Sequence, residues 1–140
     1  MLVANNPSPL AIPRPAFRRT QSDLVRCREL SATTILVAAY GEIDAATAPG
    51  LGKTIERNLT GYRQLVLDLS RLEFFGTAGY SVLHRVHARC AHFGMDWVLV
   101  PGPEVERLVR VCDRDGLLPT APNIVAAVAD LARNHTSRLC

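Results

Sequence analysis

The stretch "QLVLDLSRLEFFGTAGYSVLHRVHARC", Gln64 to Cys90, passes from one periodicity to another. Gln64 to Leu69 is a short apolar run bounded by polar residues, as a buried strand requires. "SRLEFFG" then leads into a segment with apolar residues three and four apart, which predicts a helix from Thr77 to His92 with Leu83, Val86, Cys90 and Phe93 facing the core. A buried strand followed directly by a one-sided helix is the unit of an α/β fold.

The unit repeats downstream. "DWVLV" at Asp96 to Val100 is another buried strand, and "PGP" separates it from a third helix with Val105, Leu108, Val109 and Cys112 on one face. "GLLPT" is read as a short last strand, and "NIVAAVADLARN" as a closing helix packing Ile124, Val128 and Leu131. Upstream, "LVRCREL" at Leu24 to Leu30 and "TTILVAAYGEID" at Thr33 to Asp44 read as strands that can pair antiparallel. Asp44 is the expected N-cap of a first helix carrying Ala48, Leu51, Ile55 and Leu59, with Pro49 in its first turn and Gly61 as its stop. Strand and helix alternate from residue 64, which predicts one α/β domain: a mixed, mostly parallel sheet of four to five strands covered by about four helices.

Residues 1–22 are proline-rich, basic and aperiodic, and read as a tail before a domain at 23–135, with a second short tail at 136–140. A chain of 140 residues, 48% hydrophobic and 21% charged, has the balance of a soluble globular protein. The longest apolar run, Ile35 to Tyr40, is far too short to span a bilayer, and the N-terminus lacks a leader pattern, so a cytoplasmic protein without a membrane partner is expected. Three arginines of the first 22 residues, Arg14, Arg18 and Arg19, account for the net charge of +3; the remainder holds 13 basic and 13 acidic side chains. A neutral body lacks the electrostatic footprint of nucleic-acid binding.

Cys27, Cys90, Cys112 and Cys140 form no C-x-x-C pair and no zinc spacing, so no metal and no cofactor is expected. The bland reading is free, mostly buried thiols; the sharper one is a redox-sensing pair, for which Cys90 and Cys112 are the candidates. His84 and His87 are three residues apart on a helix but lack a third ligand, and read as part of a solvated face. No phosphate loop and no nucleophile elbow occurs, so an enzyme is not expected; Asp68 reads as a strand-end acid satisfying amides of the following loop. Of Phe74 and Phe75, one plugs the core and the other stays outside, or Tyr80 does, as an anchor for a partner.

Three landmarks, "GEID" at Gly41 to Asp44, "LVLDLSRLEFFGTAG" at Leu65 to Gly79 and "LVRVCDRDGLL" at Leu108 to Leu118, resemble the anti-sigma factor antagonists, the STAS domains of bacterial partner switching. Asp68, Leu69 and Ser70 match the family's Asp-Leu-Ser. Gly76 stands where the family has aspartate, Thr77 takes the place of the phosphorylated serine, Gly79 matches the motif glycine, and Tyr80 replaces the usual leucine. The resemblance implies that Thr77 is the phosphoacceptor and that Asp44, Gly76, Thr77, Ala78, Gly79, Tyr80 and Ser81 meet an anti-sigma factor kinase, with a phosphatase reversing the mark. The alternative is a phosphorylation-independent scaffold or sensor governed by cysteine oxidation or a small ligand, and Thr77 then serves only as a helix cap.

Overall fold

The computed structural model describes residues 24–139, with side chains to residue 134. The expected tail at residues 1–22 lies outside the described residues, as does Cys140. Four strands, β1 (Val25–Glu29), β2 (Thr34–Ile43), β3 (Gln64–Phe75) and β4 (Asp96–Val100), form one sheet in the order β1-β2-β3-β4. β1 and β2 pair antiparallel, while β2–β3 and β3–β4 are parallel. The helices are α1 (Ala48–Leu59), α2 (Thr77–Phe93), α3 (Gly102–Cys112) and α4 (Ile124–Leu139). The α/β architecture expected from the alternation is the one observed.

β-strand side chains alternate between faces, and both faces of the central strands are covered. Leu65, Leu67 and Leu69 of β3 and Trp97 and Leu99 of β4 point into the larger core, where Leu51 and Ile55 of α1, Leu83 and Val86 of α2 and Val105 of α3 meet them. Val66, Val98 and Val100 point the other way, onto Ala127 and Leu131 of α4. A strand buried on two faces needs a continuous apolar run, which is why "QLVLDL" and "DWVLV" do not alternate.

Four expectations are corrected. β3 does not end at Leu69: after a register shift at Asp68 it leaves β4 and continues along β2 to Phe75. "GLLPT" contributes only a single bridge, Thr120 to Leu99, because Pro119 and Pro122 cannot donate to a ladder. Phe93 is 62% exposed rather than in the core, lying past the last buried residue of α2, Cys90. In α4 the buried positions among residues 124–134 are Ala127 and Leu131, with Val128 exposed.

The register shift positions everything beyond it. Asp68, almost wholly buried, accepts the Ser70 amide at 3.0 Å and the Ser70 hydroxyl at 2.6 Å, taking up a donor where the ladder is interrupted. α3 starts directly against this bulge. Gly102 adopts φ +69°, and a Cβ there would lie 2.5 Å from the Ser70 Cα, so only glycine lets the helix approach.

Candidate functional site

The extension of β3 carries the chain beyond β4, so that Gly76 and α2 begin beside the end of β2. The Gly76 amide donates to the Ile43 carbonyl at 3.0 Å, which brings the turn after Ile43 and the start of α2 together. In that turn the Asp44 carboxylate accepts the amides of Ala46 and Thr47, at 2.9 and 3.0 Å, while the Thr47 hydroxyl accepts the Asp44 amide at 2.9 Å. This reciprocal pair is a capping box. It sits one turn ahead of α1, which begins at Ala48, so Asp44 caps the lead-in turn. Amide donation from Thr47 and then Ala46 holds the Asp44 carboxyl below its usual value.

Thr77 is the first residue of α2 and is exposed. It is not the N-cap: Gly76 occupies that position, and no side-chain cap bond is made. Gly76 has extended backbone, φ −98° and ψ −177°, which any residue adopts. Its carbonyl accepts the amides of Gly79 and Tyr80. Among the described residues, the Thr77 hydroxyl and the amides of Thr77 and Ala78 have no hydrogen-bond partner. An exposed hydroxyl at the positive end of a helix, with two free amides next to it, suits an anionic group.

The neighbours fix this end of the helix. Gly79 is buried against the Phe75 ring, and a Cβ there would lie 2.4 Å from Cε1. Phe75 is therefore the core plug and Phe74, 47% exposed, the outward member of the pair. Tyr80 is half-buried, and its hydroxyl donates to the Cys112 carbonyl at 3.4 Å, tying the first turn of α2 to the end of α3. Partial burial, then Asp113 and Cys112, push the phenol above its usual value. Ser81, exposed one turn on, donates to the Thr77 carbonyl. Asp113 accepts the amides of Leu117 and Leu118, at 2.9 Å each, and leaves Leu117 exposed at the tip of its loop.

Val111 and Leu117, on α3 and in the loop after it, are exposed apolar residues that the sequence-based site omitted. Val111 could have been found as the apolar residue of "LVRVC" off the core face of α3, and Leu117 by the doublet it forms with buried Leu118.

Cys90 and Cys112 sit in different surroundings. Cys90 is buried and Cys112 exposed, and both are free thiols. Cys112 stands beside Tyr80, ten residues before Cys90 on α2. Those ten residues span about 15 Å of helix, whereas a disulfide bridges Cα atoms no more than ~7 Å apart. Burial also pushes the Cys90 thiol up to about 11, away from the thiolate that redox chemistry needs. Cys27 is exposed too, so of the described thiols one alone is buried. His87 is not on a solvated face: its Nδ1 accepts the Trp97 indole N–H at 3.1 Å. Among the described residues no cluster of three metal-ligating side chains occurs, and no helix is long and apolar enough to cross a membrane.

Residues 28–127 match the STAS domain family model. The chain is 37% identical over 101 residues to Osmosensory protein A of Mycobacterium tuberculosis; the match covers 69% of this chain but only 64% of that protein. It is 31% identical over 101 residues to the anti-sigma-F factor antagonist RsfA of the same species, covering 69% of this chain and 79% of RsfA. Among solved structures, an anti-sigma factor antagonist from Mycobacterium paratuberculosis superposes with a TM-score of 0.68 at 25% identity, covering 77% of this chain and 92% of that one.

Proposed function

This chain belongs to the STAS domain family, among the anti-sigma factor antagonists, and from that premise we propose that it binds an anti-sigma factor of the kinase type and is released by phosphorylation of Thr77. The observation that carries the proposal is the exposed, unpartnered hydroxyl of Thr77 at the start of α2, with two free amides beside it. The docking surface is Gly76 to Ser81 with Asp44. Gly76 and Ala78, with small or no side chains, permit close approach, and Phe74 and Tyr80 supply aromatic surface.

Phosphate at Thr77 would add about −1.5 to −2 charges to that surface. The free amides tolerate it locally, so the fold stays intact while a docked partner meets charge that it must desolvate. A coupling of ~1–3 kcal/mol corresponds to a 5- to 150-fold loss of affinity, enough to release the partner. The chain itself is then a binding protein: the nucleotide and the kinase chemistry belong to the anti-sigma factor, and a phosphatase resets the mark.

Binding of the unmodified protein, Thr77→Ala and Thr77→Glu to the organism's anti-sigma factors, measured by calorimetry, tests this reading. Alanine is expected to bind as the unmodified protein does and glutamate at least about 5-fold more weakly. Equal affinities would reject the switch, and no binding to any anti-sigma factor would reject the antagonist role. Gly76 in the place of the family's aspartate favours a second reading, a scaffold without phosphorylation; it requires binding by all three proteins and no phosphate on the Thr77 peptide from cells.

A further inference from the structure

At the opposite end of α2 from Thr77, the C-terminal ends of α1 and α2 enclose an open cleft of about 520 Å³. This is within the ~300–1,000 Å³ usual for small-molecule sites. Leu59 forms its apolar floor, and Tyr62 is held in place by its hydroxyl bond to Glu29 at 2.6 Å, leaving the ring as wall. Phe93 presents an aromatic surface, with the Arg89 guanidinium 5.5 Å from its centroid. Arg63 projects from a fixed backbone, since its amide donates to the Thr33 carbonyl and its carbonyl accepts the Asp96 amide. Glu56 lies on the same lining. Among the described residues none of Glu56, Arg63 and Arg89 forms an ion pair.

Two guanidinium groups, one carboxylate and an aromatic wall are complementary to a molecule carrying both charges. The arginines match a carboxylate through forked hydrogen bonds, whereas Glu56 and the negative ends of the two helix dipoles match an ammonium group. A plain anion would meet the arginines but leave Glu56 and that negative end without a cationic partner. We propose that this cleft binds a small zwitterion with an apolar body, of the class of the free apolar amino acids. The site involves none of the residues assigned to partner docking, and its test is independent of that assignment.

Amide NMR of the full chain, titrated with the common amino acids, 3-phenylpropionate and phenethylamine, decides the matter. At least one apolar amino acid is expected to give saturable shifts confined to the amides around residues 59–63 and 93–95. Arg63→Gln and Arg89→Gln, both at exposed positions, should weaken it about 10-fold or more, and Arg107→Gln should not. Glu56→Gln should weaken the amino acid and leave 3-phenylpropionate unchanged. Absence of saturable shifts across the panel, insensitivity to the cleft substitutions, or equal binding of 3-phenylpropionate and phenylalanine would each overturn the proposal.

Discussion

The hydroxyl of Thr77 and the hydrogen of Gly79 are set by different constraints. At Thr77 nothing in the fold demands the side chain, whereas at Gly79 a single added carbon would overlap the Phe75 ring. Gly79→Ala is expected to cost about 1–3 kcal/mol in urea denaturation, with Phe75→Leu relieving part of it so that the double variant is less than additive. Gly76 is the contrasting case. Its backbone suits any residue, and the nearest atoms to a Cβ would be the ring end of exposed Phe74, at 3.2 Å. Gly76→Asp should therefore keep stability within about 0.5 kcal/mol and, by restoring the family pattern, raise the rate of phosphate transfer to Thr77 by an anti-sigma kinase. Asp44 adds a pH dependence. Its folded-state carboxyl lies below the unfolded value of ~3.9, so its contribution is complete above that pH and is lost as pH falls through the lower folded value. Asp44→Asn, which keeps an acceptor oxygen, should flatten this part of the acid limb in denaturation midpoints measured between neutral pH and the acid range below ~4.

Elements were legible in the sequence where one kind of burial governed them. The apolar run of β3 and the three-and-four spacing of α1 read directly, and the alternation of strand and helix sufficed for the α/β class. What escaped was decided by pairing across the chain. The reach of β3 to Phe75 depends on β2 offering a partner beyond the bulge, and no local pattern in "SRLEFFG" announces that. Thr77 opens α2 where the spacing placed the helix start, but the cap position falls to Gly76, with no side-chain cap bond. Phe93 looked like a core residue because its spacing continues that of Cys90; the helix outruns the sheet that could cover it. Gly102 was likewise visible only as a breaker, yet it sets the distance between α3 and the bulge of β3. Gly102→Ala combines left-handed strain with overlap on the Ser70 backbone, and is expected to lower stability by about 2–4 kcal/mol, read as a reduced urea midpoint with unchanged slope.

Across the whole molecule, α2 separates two ends roughly 24 Å apart, Thr77 at one and the cleft at the other. The thiols report on the intervening core. In the native protein Cys27 and Cys112 should react with iodoacetamide while Cys90, buried and held protonated, reacts only on unfolding. Comparable labelling of all three in the native state would contradict the packing of α2. The single bridge at Thr120 has a further consequence. On the outer side of β4, the Leu99 amide is taken by the Pro119 carbonyl and the Leu99 carbonyl by the Ala121 amide, with Pro122 directly after. The other border, β1, carries Arg26 and Arg28. A sheet closed by a proline-flanked clasp on one side and carrying charged side chains on the other resists recruiting a foreign strand at either border.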